Sequence, residues 1–250
     1  MKMYRETRIL MGMPITVEIV DYGQDRTVDA VFAYFAAVEN RFSLFRRDSE
    51  VSALNRGEIK ISDASPDMQE VLAIAARTKR QTRGYFEIRR ADGSLDPSGI
   101  VKGWAIRNAA TLIRASGAGN FFVDAGGDIQ TGGKNAESKE WTIGIRNPFN
   151  AGEIIKALVP NGRGVATSGS YVRGQHIYDP HRPGHPIDEI VSLTVIGADV
   201  LEADRFATAA FAMGADGIEF IEEMPGLEGY VVDASGIATQ TSGFGAYVTS

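Results

Sequence analysis

The sequence predicts an α+β fold, a largely antiparallel sheet with helices packed on it, resting on three observations. Several short segments alternate apolar and polar residues, and several longer stretches repeat apolar residues at helical spacing. The two kinds do not alternate regularly along the chain, as a doubly wound parallel fold requires.

Taken in order, PITVEIVD places Ile15, Val17 and Ile19 on one side and Thr16 and Glu18 on the other, a half-buried strand expected to pair with the preceding RETRIL. From Arg26 to about Arg46, apolar residues at Val28, Val31, Phe32, Phe35, Val38, Phe42 and Phe45 predict one long amphipathic helix. A second helix is expected from near Ser65, with Pro66 in its first turn, to about Arg83, where Gly84 stops it. A third follows Gly99 and ends near Gly117. The middle of the chain is strand-rich, with FFVDAGGDI, EWTIGIR, EIIKALV and GVATSG bounded by Gly, Asn or Pro. Beyond a Pro/His/Gly-rich loop, VSLTVIG reads as a strand, Ala203 to Met213 as a small-residue helix and GIEFIEEM as a short one. The tail reads as a hairpin through Asp233 to Gly236. No repeat or linker cuts the chain, so residues 1–250 are read as one domain, or as two intimately packed lobes.

Of the 250 residues, 44% are hydrophobic and 23% charged, enough apolar mass for a sizeable core. The net charge of −6 argues against a nucleic-acid partner, whose phosphates are met by basic side chains. The absence of cysteine excludes disulfides, thiolate metal sites and a cysteine nucleophile. The opening MKMYRETRIL carries charges where a signal peptide needs an apolar run. The longest apolar run, Ala30 to Val38, is about half of what a spanning helix needs. The chain is therefore expected to be cytoplasmic, with no membrane partner.

Four segments carry chemistry. LDPSGIVKGWA sets Asp96, a turn and then Lys102 in the first turn of a helix, where free N–H groups and the helix dipole suit a phosphate; a Gly-containing loop entering a surface helix reads the same way. VDAGGDIQTGG flanks paired glycines with Asp124 and Asp128, which could reach ribose hydroxyls or a metal, though a plain strand-turn-strand corner also uses Gly-Gly. In EADRFATAAFAMG, Asp204 and Thr208 lie four apart on one helix face, half of a site for a hard cation such as Mg²⁺; a helix-start Asp with a back-bonding Thr is the plainer reading. HIYDPHRPGHP gathers His176, His181 and His185, but its interposed prolines match no zinc-ligand pattern. His176 follows a strand-like segment and could act as a general base or a pyrophosphate donor.

Together these segments resemble the FAD:protein FMN transferases, the ApbE-type flavin transferases, through MGMP, ENRFSLFRRDSEVSALN, GYFE, DPSGIVKGWA, VDAGGDI, ATSGSYVR, HIYDPHRPGHP and ADRFAT. The resemblance implies a T-fold-like antiparallel sheet with helices on one side. It implies Mg²⁺ held by the side chains of Asp204 and Thr208 and the carbonyl of Gly99, and FAD held at Asp96 and Lys102. Met11, Phe45, Tyr85, Phe86 and Glu87 match positions lining the flavin or adenine pocket, and Val191 a further FAD contact. His176 matches a histidine with a suspected catalytic role, whereas His181 and His185 are given none and are expected to face water. Glu87 stands where the family usually has Asp, and only eight residues separate it from Asp96, a compact variant.

The implied reaction is attack by a Thr or Ser hydroxyl of an acceptor protein on the FMN-side phosphorus of FAD, with AMP leaving. Lys102 would give electrostatic stabilisation, and His176, or less readily Asp96, would be the base. A Mg²⁺-dependent FAD pyrophosphatase would use the same residues. A non-catalytic FAD-binding or delivery protein would be expected to lack the Asp204/Thr208 pair. GAGN precedes a strand rather than a helix, which disfavours a nicotinamide-dependent oxidoreductase.

Overall fold

The computed structural model describes residues 3–20, 25–169 and 177–249. Strands β1 (Tyr4–Leu10) and β2 (Met13–Ile19) pair antiparallel from Tyr4–Ile19 to Leu10–Met13, leaving Met11 and Gly12 as a two-residue turn. Both turn residues have positive φ, 55° and 73°, as a tight hairpin matched to strand twist demands. Helix α1 (Asp25–Phe42) buries Val28, Val31, Phe32, Phe35, Val38 and Phe42 along one stripe. It ends earlier than its periodicity predicts. The Ser43 hydroxyl accepts from Phe45 N at 3.3 Å, a local bond that competes with the helix, and the Phe45 side chain is fully exposed. Ser49 then caps a short helix that the periodicity missed, α2 (Glu50–Asn55), accepting from Ser52 N.

Helix α3 (Pro66–Gln81) starts as expected, with Ser65 as cap and Pro66 at its first position. Helix α4 (Ser98–Ala115) follows. FFVDAGGDI is two strands, β3 (Phe121–Ala125) and β4 (Asp128–Gly132), folded at Gly126 and Gly127, both at positive φ. The remaining elements are β5 (Ile143–Asn147), β6 (Asn150–Leu158), β7 (Gly164–Gly169), β8 (Ile190–Gly197), α5 (Val200–Ala212), α6 (Gly217–Glu223), β9 (Glu228–Asp233) and β10 (Ala238–Gln240). The predicted tail hairpin is β9–β10, its turn held by Asp233 Oδ1 accepting from Ser235 N and Ile237 N.

Eight strands form one sheet in the order β1-β2-β3-β4-β7-β8-β9-β10, every neighbouring pair antiparallel, and β5 and β6 form a separate two-stranded sheet. On one face, Ile15, Val17, Phe121 and Val123 pack with Phe35 of α1 and Trp104 and Ile113 of α4. On the same face, Leu193, Val195 and Val231 pack with Phe206 and Phe211 of α5 and Ile221 of α6. The other face is covered by Ile143, Ile145 and Leu158 of the small sheet, packed on Ile129, Val165, Ile196 and Val232. The predicted α+β architecture holds, with helices segregated to one side. The β4–β7 junction pairs only Ile129 with Val165 and Gln130 with Gly164, and a Gln130 side chain that bonds Gly162 O and Val200 N reinforces it. Among the described residues, no helix is long and apolar enough to cross a membrane.

Candidate active site

Small residues let α4 and α5 come together. Ala203, Ala207, Ala209 and Ala210 are buried on α5, and Gly103 meets it from α4. Gly103 N donates to Asp204 Oδ2 at 2.8 Å. In a regular helix that N–H serves the carbonyl four residues back, here Gly99. A Cβ on residue 103 would stand 2.9 Å from Leu201 Cα and 2.9 Å from Asp204 Cβ. Gly103→Ala is therefore expected to cost about 1–3 kcal/mol by overpacking, which at this size lowers Tm by roughly 2–4 °C per kcal/mol. Thermal unfolding checks this, and an unchanged Tm would show that the helices part without cost.

The Asp204 side chain is 3% exposed and that of Asp128, on β4, is 1% exposed. Between them reaches Lys102 from α4, its Nζ 2.6 Å from Asp128 Oδ2 and 3.3 Å from Asp204 Oδ1. Asp128 Oδ1 also accepts from Thr167 N at 3.1 Å, whereas Oδ2 makes no hydrogen bond of regular geometry despite its ion pair with Lys102. Two carboxylates thus share one ammonium. Burial pushes the Asp204 carboxyl up to about 8, with Lys102 opposing the shift and Asp128 adding to it. The folded pKa lies above the unfolded one, so this contribution to stability is present in acid and lost as pH rises from about 4 through about 8. Without divalent cations, the wild-type Tm is expected to fall relative to that of Asp204→Asn across this window. Parallel Tm–pH curves for the two proteins would contradict it.

Thr208 lies one turn beyond Asp204 and is half-buried. A Cβ on Gly99 would lie 3.6 Å from Thr208 Cγ2 and 3.1 Å from Phe86 Cε2, so Gly99, Thr208 and Phe86 meet at the start of α4. Among the described residues, no three acidic or histidine side chains form a ready metal cage. A cation here would instead take one carboxylate, a hydroxyl and a backbone carbonyl, completed by oxygens of substrate or water, which is the chemistry that suits Mg²⁺. The residues present fit such an ion.

The ApbE family model matches residues 11–92 and 87–231. The chain belongs to the ApbE family. It is 31% identical to an FAD:protein FMN transferase of Klebsiella pneumoniae over 71% of this chain and 55% of that protein. With that of Haemophilus influenzae it is 25% identical over 95% of this chain and 91% of that protein. The chain spans about half the length of the first curated relatives it matches. Its fold is that of the ApbE protein of Thermotoga maritima, with a TM-score of 0.88 at 20% identity over the whole of both chains. The flavin transferase ApbE of Vibrio cholerae is similar, with a TM-score of 0.86 at 22% identity over 98% of this chain and 99% of that one.

Around the core of this ApbE chain, the other sequence-predicted residues fall into distinct places. Met11 sits in the first hairpin turn and its N donates to Glu39 Oε1 of α1 at 3.0 Å. Phe45 stands exposed beyond the end of α1. Phe86 is buried, its N held by the Thr82 hydroxyl at 3.1 Å. Glu87 pairs with Lys79 and accepts from Arg89 N. Asp96 accepts from Ser98 N and Oγ and pairs with Arg90, so an anion of the chain itself already stands at the start of α4. Val191 lies with the cluster on the sheet face opposite the helices, away from Asp204.

Asp124 and Asp128 do not converge. Asp124 pairs across strands with Ile129, whose side chain belongs to the face opposite α5, and its Oδ1 accepts from Gly127 N. His181 and His185 are exposed, and His181 also makes contacts: its ring meets Tyr85 at 4.5 Å between centroids, and its Nε2 lies 3.1 Å from Arg83 O. His176 lies outside the described residues. Sequence reasoning missed Asp128 as the partner of Lys102, although the GGD pattern had marked it, and it missed Gly103 altogether.

Proposed function

We propose that the chain transfers the FMN moiety of FAD to a Thr or Ser hydroxyl of an acceptor protein in a Mg²⁺-dependent reaction that releases AMP. The observation that carries this reading is half-buried Lys102 between the buried Asp128 and Asp204, with Thr208 and Gly99 beside them, in a family member whose relatives are named FAD:protein FMN transferases. The acceptor oxygen bonds to the FMN-side phosphorus, the bond from that phosphorus to the bridging oxygen breaks, and that oxygen leaves with AMP. Mg²⁺ held by Asp204, Thr208 and the Gly99 carbonyl supplies neutralisation of the pyrophosphate charge. Donation of the Gly103 N–H to Asp204 supports Gly99 as a ligand, because it draws that N–H from the Gly99 carbonyl.

Lys102 fixes Asp204 in place and adds positive charge beside the phosphates. His176 is the proposed base for the hydroxyl proton. Met11, Phe45, Tyr85, Phe86, Glu87, Asp96 and Val191 are the proposed FAD contacts, and exposed Phe45 offers a ring face on which a planar heterocycle can stack.

Incubation with FAD, Mg²⁺ and candidate acceptors, read by in-gel flavin fluorescence and intact mass, tests the proposal. An acceptor that gains the mass of FMN is the expected result. Free FMN and AMP with the acceptor unmodified would make the chain a pyrophosphatase instead. No cleavage under any condition would overturn the reading.

A further inference from the structure

Residues 177–185 form a tightly turned loop. Asp179 is 2% exposed and accepts from His181 N and Arg182 Nε, both at 2.8 Å, while Arg182 N and His185 N donate to Asp179 O and Arg182 O. His181 of this loop reaches the 83–87 turn. Its ring stands edge-on to Tyr85, with centroids 4.5 Å apart and planes at 65°. Arg83 O can only accept, so the His181 Nε2 that faces it at 3.1 Å carries the proton. Gly84 makes room: a Cβ there would lie 3.3 Å from His181 Cε1 and 3.4 Å from Nε2. The turn is otherwise held by Gly84 N on Lys79 O, Tyr85 N on Thr82 O and Phe86 N on the Thr82 hydroxyl. Phe86 in turn packs at Gly99, which lies against Thr208. Tyr178, in the same loop, has its hydroxyl pKa raised by burial and by the charges of Glu87 and Asp96.

We propose that His181 is a positioning residue. It latches the 177–185 loop onto the 83–87 turn, acts through Tyr85 and Phe86 to set the wall beside Gly99 and Thr208, and so governs affinity for FAD rather than the rate of its cleavage. The effect on affinity rests on the flavin reading above, but the latch itself does not. His181 is exposed and belongs to none of the buried apolar clusters, so its loss should leave global stability unchanged. Losing a hydrogen bond and a ring contact together is expected to weaken ligand binding about tenfold.

The test compares wild type, His181→Ala and His181→Gln, the last keeping a donor for Arg83 O. FAD affinity is measured by flavin fluorescence in Mg²⁺, single-turnover cleavage at saturating FAD, and hydrogen exchange at the amides of 84–86. His181→Ala is expected to raise the FAD Kd about tenfold, with cleavage at saturation within about twofold of wild type and faster exchange at 84–86. His181→Gln is expected to recover part of both the affinity and the protection. Unchanged affinity in His181→Ala, or lost affinity with 84–86 as protected as in wild type, would overturn the proposal. If wild type itself binds no FAD, the flavin reading fails and exchange at 84–86 alone decides the latch.

Discussion

Asp204→Asn is expected to lower the rate of FAD cleavage about 10³-fold or more while leaving the fold intact. Asparagine keeps an oxygen to accept the Gly103 N–H but loses the charge that would hold a cation. The fold should tolerate the change because burial already pushes the Asp204 carboxyl up to about 8, so the folded site favours an uncharged side chain. Removing one acid also leaves Lys102 and Asp128 as a one-to-one pair. Tm should therefore hold or rise at neutral pH. Initial rates over a Mg²⁺ titration, with a melting curve of the same preparation, check both halves, and wild-type cleavage by this variant would remove Asp204 from the site.

Features held within one segment were legible in the sequence. Pro66 behind Ser65, the alternation of Ile15, Val17 and Ile19, and the spacing of Val28 through Phe42 each state a local preference that the fold obeys. The end of α1 was misread because Phe45 continues the apolar rhythm while a serine hydroxyl beside it breaks the helix. Asp204 and Thr208 could be placed on one face because a helix fixes that geometry. The partnership of Lys102 with Asp128 could not, since it depends on how β4 lies beneath α4, and no spacing within either segment encodes that. Asp124 shows the same limit: both acids flank one Gly-Gly turn, and only the pairing register sends them to opposite faces.

Lys102→Met should have the largest effect on stability. It would leave the Asp128 and Asp204 carboxylates, 1% and 3% exposed, without their shared cation. Removing one partner from a buried ion cluster typically costs about 3–5 kcal/mol, because the charge left behind stays out of water. For a chain of this size that is a Tm lower by roughly 10 °C. The loss should shrink in acid, where one carboxylate takes up a proton. Added Mg²⁺ should raise Tm more in this variant than in wild type, since a bound cation would replace the missing charge. Lys102→Arg, which keeps the charge, serves as the control. Equal melting of Lys102→Met and wild type at neutral pH would show that the cluster contributes nothing to the fold.

The order of elements gives this cluster a history as well as a geometry. Helices α1 to α4 all lie between β2 and β3, so those neighbouring strands can zip together only after a loop of about a hundred residues closes around them. Lys102 and Asp128 meet when that first half assembles. Asp204 lies on α5, which follows β8 in the chain and packs on α4, so in synthesis order it would join the pair last. During synthesis from the N-terminus, a nascent chain would therefore hold a balanced pair of opposite charges through most of its folding. In that order the second acid would be brought against the pair late, after most apolar surface has left water.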